Sequence, residues 1–140
     1  MRFMMIVKAT KDSEAGVMPS ETLMMEMQKY HEELQKAGVL LDASGLKPSS
    51  QGWRVKYSGT KRTVIDGPFA ESKELIAGYT IIQVKSREEA MEWARRYPNP
   101  SIDSGAAEIE VRQFFELEDF GQSEAVERFR KMDEQRARKK

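Results

Sequence analysis

"LIAGYTIIQV", residues 75–84, decides the fold, because it is apolar through most of its length on both of the faces a strand presents. Such a run predicts a central strand covered on both sides, and Gly78 within it implies a bend or the close approach of another backbone. "RFMMIV" at 2–7 is a second continuous apolar run, too short for helical periodicity, and reads as another buried strand. "VLLDASGL" at 39–46 gives a third, running to Gly45. "IEVRQFFEL" at 109–117 alternates, with Ile109, Val111, Phe115 and Leu117 on one face and Gln113 as its polar member.

Two helices separate these strands. Ser20 caps the first, with Glu21 in its first turn; Leu23, Met27, Tyr30, Leu34 and Ala37 follow at helical spacing, and Gly38 stops it. Ser86 opens the second in a capping box with Glu89, and Ala90, Trp93, Ala94 and Tyr97 form its apolar stripe until Pro98 ends it. "KATKDSEAGVMP" at 8–19 reads as a polar loop and "KPSSQG" at 47–52 as turns. "WRVKY" and "KRTVID" flank "SGT" at 58–60 as a hairpin in which Trp53, Val55 and Tyr57 make one dry face. "SEAVERFRKMDEQRARKK" at 123–140 is a trailing helix with a narrow stripe of Val126, Phe129 and Met132.

Without the hairpin, the order is that of two split βαβ units, an α+β ferredoxin-like fold. Right-handed crossovers set both main helices on one face of the sheet and leave the other bare. The strands at 2–7 and 75–84 are too apolar for a wet face, so a second copy of the chain is the expected cover, giving a homodimer with its sheets packed face to face.

The 140 residues suit one domain, and 39% hydrophobic with 33% charged is globular composition. Lys plus Arg and Asp plus Glu balance at 23 each, so no net field draws the chain to nucleic acid or anionic lipid. "AGYTIIQV" faintly resembles an RNA-recognition strand but lacks its further aromatics and its preceding basic residue, and no nucleic-acid partner is expected. Cysteine is absent, which removes thiolate chemistry and fits a cytoplasmic protein. No apolar run approaches membrane-spanning length, and none at the N-terminus is long enough for a signal peptide. With one histidine and no phosphate-loop, nucleophile-elbow or zinc-helix motif, no metal and no cofactor are expected.

Chemistry concentrates in "DGPFAESKE" at 66–74, which enters the central strand. Pro68 fixes its own φ and restricts Gly67, so the pair makes a turn of defined shape. Asp66 can cap that turn or serve as a base, and Phe69 packs under the loop or lines a pocket. If the chain is extended beyond Ala70, Glu71 and Lys73 share one side and Glu74 takes the other. A carboxylate beside an ammonium suits general acid-base catalysis with charge stabilisation, and is equally a rim ion pair. Arg54 and Arg112 are further candidates to hold an anion.

"GLKPS" at 45–49, "DGPFAESKE", "AGYTIIQVKSREEAMEWARRYP" at 77–98 and "EIEVRQF" at 108–114 are similar to the DGPF group of YCII-related proteins. The resemblance covers about Met1 to Gly121, making 1–121 the domain and 122–140 a C-terminal helical extension. It implies a dimeric α+β barrel. It also implies either small-molecule chemistry, since YCII relatives include a dehydrochlorinase using a helix-one histidine with an aspartate, or an accessory role, since some members accompany sigma-factor sequences. The position matching that histidine is Met27; His31, one turn later on the same side of the helix, is either a catalytic group or a half-buried flank residue.

The reading is therefore a homodimeric small-molecule-binding protein, a lyase or isomerase if it is an enzyme. Its candidate catalytic residues are Asp66, Glu71, Lys73 and His31, and its candidate ligand contacts are Pro68, Phe69 and Glu74. The alternative is a non-enzymatic accessory module that binds a protein partner.

Overall fold

A computed structural model describes residues 1–139, with Ser72 described by its backbone alone. Six strands form, β1 (Arg2–Lys8), β2 (Leu40–Gly45), β3 (Trp53–Ser58), β4 (Lys61–Asp66), β5 (Ile76–Gln83) and β6 (Ile109–Gln113). They alternate with four helices, α1 (Lys11–Glu14), α2 (Glu21–Lys36), α3 (Arg87–Arg95) and α4 (Glu124–Arg138). β2, β5, β1 and β6 lie in that order in one antiparallel sheet, the ferredoxin-like order, while β3 and β4 form a separate two-stranded arm.

Local chemistry sets the boundaries. Ser20 Oγ accepts the Leu23 N–H at 3.2 Å to start α2, and Gly38, at φ +75°, ends it in a conformation that disfavours a side chain. Ser86 Oγ accepts the Glu89 N–H at 3.1 Å to start α3, and the Glu89 carboxylate reaches back to the Lys85 N–H at 3.0 Å, one residue before the expected cap. Gly78 lies where β5 meets β2: a Cβ there would stand 3.0 Å from the Ser44 carbonyl oxygen, so the close backbone approach anticipated from sequence is present.

α2 and α3 cover one face of the sheet. Phe3, Met5, Ile82 and Val84 interlock there with Tyr30, Leu34, Val39 and Ala90, and Met5, Leu34 and Ile82 have no exposed surface. The opposite face carries Met4, Ile6, Tyr79 and Ile81, all half-buried, with Asp42, Glu110 and Arg112 around them. Among the described residues, no helix is long and apolar enough to cross a membrane.

Three expectations need correction. Residues 11–14 are a helical turn rather than loop, capped reciprocally by Thr10 and Ser13. The arm has no dry face within one chain: Trp53 is 66% exposed and Tyr57 65%, because an isolated ribbon has nothing to pack against. β6 ends at Gln113, and the alternation expected to reach Leu117 stops as the chain turns into a 3-10 segment at Leu117–Phe120, leaving Phe115 70% exposed against the Phe120 ring.

Arg2 ties the start of β1 to this segment through two hydrogen-bonding nitrogens on the Glu116 carboxylate, which hold that carboxyl below its usual range. Its stabilisation is therefore present at neutral pH and fades as pH falls through the depressed pKa. Glu116→Gln should cost no more than about 1 kcal/mol at neutral pH, the pair being over a third exposed, and nothing in acid. Leu34→Ala should cost about 2–5 kcal/mol by urea denaturation at any pH where the fold persists.

Candidate functional site

The loop after β4 is fixed from three directions. The Gly67 N–H donates to the Gly52 carbonyl at 2.9 Å, closing the base of the arm, and the Phe69 N–H donates to Ser49 Oγ at 3.1 Å. Ser49, in a 3-10 turn at Ser49–Gln51, in turn gives its hydroxyl proton and its N–H to the two oxygens of Glu14. A Cβ at Gly67 would lie 1.8 Å from the Ser49 carbonyl oxygen, so only glycine fits beneath this crossing. The Gly67–Pro68 peptide is cis.

Arg54 on β3 organises the outer side. Its guanidinium lies 3.8 Å from the centre of the Phe69 ring and 3.5 Å from Glu71 Oε2. The cation is thus held in direction between an aromatic face and a carboxylate.

The candidate residues divide between two places. Asp66, Pro68, Phe69, Glu71, Lys73 and Glu74 all belong to the loop; Phe69 is half-buried under Arg54 and the rest are exposed. The chain beyond Ala70 is not extended. The Glu74 N–H closes on the Glu71 carbonyl at 2.9 Å, and Ser72–Glu74 is a 3-10 turn. Strand-like alternation is thereby lost, and Glu71 pairs with Arg54 instead of Lys73. Among the described residues, no hydrogen bond reaches the Asp66 carboxylate, and Ser49 with Gly52 hold the turn that it was expected to cap.

His31 lies elsewhere, beneath β5 at Thr80, roughly 13 Å along the strand from Ile76 where the loop enters. Its Nδ1 is 2.7 Å from the Met27 carbonyl oxygen and its Nε2 is 2.8 Å from Thr80 Oγ1. A carbonyl can only accept, so Nδ1 carries the proton and the Thr80 hydroxyl donates to Nε2 in the neutral ring. Tyr30 and Tyr97 flank the imidazole edge-on, and burial raises both phenol pKa values, keeping them neutral. Both imidazole nitrogens are thus occupied by the fold.

One surface hollow lies at the start of α4 and another between α3 and β6. Neither includes a residue of the loop. Sequence reasoning missed Glu14, hidden in a polar stretch, and Thr80; the available signal for Thr80 was its being a polar side chain in the middle of the apolar run of β5.

The YCII-related domain matches residues 1–115. The chain belongs to the YCII-related family. Among YCII-related relatives, an uncharacterized protein of Rhizobium meliloti is 30% identical over 89 residues, spanning 64% of this chain and 72% of that protein. A solved structure, 5-chloro-2-hydroxyhydroquinone dehydrochlorinase from Burkholderia phenoliruptrix AC1100 in complex with 2,5-dihydroxybenzoquinone, is similar at a TM-score of 0.46 and 13% identity. The alignment covers 82% of this chain and 94% of that one, a likeness too distant to carry chemistry across.

The loop's tight crossing makes a direct prediction. Gly67→Ala should destabilise by about 1–3 kcal/mol through overpacking, and Ser49→Ala by a similar amount through the unpaired Phe69 N–H and the loss of the hydroxyl from one Glu14 oxygen, the Ser49 N–H still holding the other. Amide exchange at Phe69 should accelerate in Ser49→Ala while the amides of β1 and β5 stay protected.

Proposed function

We propose that this YCII-related protein binds a small anionic or carbonyl-bearing compound at the loop of residues 66–74, and that it works as a homodimer joined through the half-buried face of the sheet. The observation that carries the reading is Arg54, stacked on Phe69 and paired with Glu71 over a backbone hydrogen-bonded to Gly52 and Ser49. An incoming carboxylate or enolate competes with Glu71 for the guanidinium. Once displaced, Glu71 is a free carboxylate beside the bound ligand and acts as its general base. Lys73 supplies a second positive charge, Asp66 a second carboxylate, and Pro68 and Phe69 an apolar wall, with Glu74 at the rim. Proton transfer next to a stabilised anion is lyase or isomerase chemistry. His31, with both nitrogens engaged, takes the role of orienting α2 on β5 rather than of moving a proton.

One observation favours the rival reading, an accessory module for a protein partner: the loop stands open in a single chain, beside an arm whose Trp53 and Tyr57 are bare. The two readings separate in a thermal-shift screen of carboxylic acids, ketones and lactones on the wild type, Glu71→Gln and Arg54→Met. A ligand at about 100 times its Kd should stabilise the wild type by about 2.7 kcal/mol and neither variant by as much. A broad screen that shifts nothing, with both variants folded, gives the surface to a protein partner instead.

A further inference from the structure

Two exposed segments of this chain are complementary in charge and alike in apolar character. The arm from Trp53 to Asp66 carries Arg54, Lys56, Lys61 and Arg62 against a single acid, Asp66 at its base, and its aromatic face is bare, with Trp53 66%, Tyr57 65% and Val64 64% exposed. The cross-strand register sets Val64 opposite Val55 and Arg62 opposite Tyr57, where the guanidinium covers the phenol ring at 5.0 Å. The segment from Phe115 to Glu127 carries Glu116, Glu118, Asp119, Glu124 and Glu127 with no base. It presents Phe115 and Phe120, 70% and 61% exposed, with ring centres 5.0 Å apart.

Much of this charge has no counterpart within the chain. Arg2 neutralises Glu116, Arg128 neutralises Glu124 and Arg130 neutralises Glu127, but among the described residues no ion pair reaches Glu118 or Asp119. Likewise no ion pair among the described residues reaches Lys56, Lys61 or Arg62. The excess acid therefore sits beside the Phe115–Phe120 pair, and the excess base lies along the arm.

Topology keeps the two apart. Lys8 pairs with Ile76 at the end of β1 where β5 begins, and the arm hangs from this end. The Phe114 N–H bonds to the Arg2 carbonyl at the other end of β1, where the acidic segment leaves the sheet. The span of β1 between them is roughly 20 Å. Two copies of the chain remove the separation. A two-fold axis between the facing sheets and perpendicular to their strands reverses strand direction, bringing each arm to the end of the dimer from which the partner's acidic segment leaves, two strand spacings or roughly 10 Å across the sheet and within reach of a six-residue ribbon.

We infer that the β3–β4 arm clasps the Phe115–Glu127 segment of a second copy, burying Trp53, Tyr57 and Val64 against Phe115 and Phe120 and pairing Arg62, which shares their face, with Glu118 and Asp119, while Lys56 and Lys61 on the other face add to the positive field of the arm. The inference rests on the homodimer proposed above. Trp53 pairs with Asp66 at the base of the arm, so the clasped segment lies across the ribbon from Arg54, Phe69 and Glu71, which occupy its other face.

Sedimentation equilibrium on the full chain tests this. Lys56→Glu with Lys61→Glu and Arg62→Glu should weaken the wild-type dimer at least about tenfold, as should Glu118→Lys with Asp119→Lys; both sets are exposed, and unchanged circular dichroism checks folding. Combining the two sets should restore the dimer to within about threefold of wild type, which simple surface damage would not do. The wild-type dimer should also weaken as salt rises. A wild-type dimer indifferent to both sets overturns the clasp and leaves the homodimer standing; a wild-type monomer overturns both. If the wild type binds a fluorescein-labelled oligothymidylate and the arm variant does not, with dimer mass unchanged, the arm serves single-stranded nucleic acid and the clasp is wrong.

Discussion

The sheet and the loop of residues 66–74 both take their position from β5. The strand is hydrogen-bonded on both edges, to β1 and to β2, and its Thr80 and Ile82 are buried beneath the helices. Burying Ile82 against Leu34 and Met5 removes three large apolar side chains from water, each worth about 1.5–3 kcal/mol before conformational entropy is set against it. That seam fixes α2 on the sheet. Because the loop of residues 66–74 leads straight into Ile76, the seam also fixes the candidate site. A strand that cannot slide gives the loop one end that does not move.

The other constraint on the loop is local and polar. Ser49 is the meeting point of three stretches distant in sequence, since its hydroxyl takes the Phe69 N–H and gives its own proton to Glu14. A small hydroxyl suits this place because it accepts and donates at once. Glycine at 67 lets the strands cross at this point, and the cation of Arg54 sits on the far side of the Phe69 ring. Backbone rigidity and charge are thus brought together within a few residues, the combination that binding a small charged compound requires.

What the sequence revealed follows from where the forces act. The continuous apolar run of β5, the stripes of α2 and α3 and the serine caps are enforced within a few residues of chain, so strand order, helix boundaries and the close pass at Gly78 were legible. The alternation of Trp53, Val55 and Tyr57 was also real, but alternation records which side chains share a face, not what covers that face. Phe115 misled in the opposite way: its spacing continued that of β6 while the backbone had already left the sheet. At the loop, the residue types were readable and their partners were not. Glu71 meets Arg54 because a 3-10 turn rotates it away from Lys73, and Glu14 reaches Ser49 across a distance that no local pattern encodes.

The hydrogen bond from Gly67 to Gly52 has a consequence for how such a chain can vary. It draws the two ends of the arm together at 2.9 Å, so the residues between them form a cassette suspended from a single closed neck. None of those residues belongs to the helix-covered core. The cassette can therefore grow, shrink or change its surface without altering the sheet, leaving the domain free to diversify at its rim while Gly52, Gly67 and Ser49 keep the junction intact.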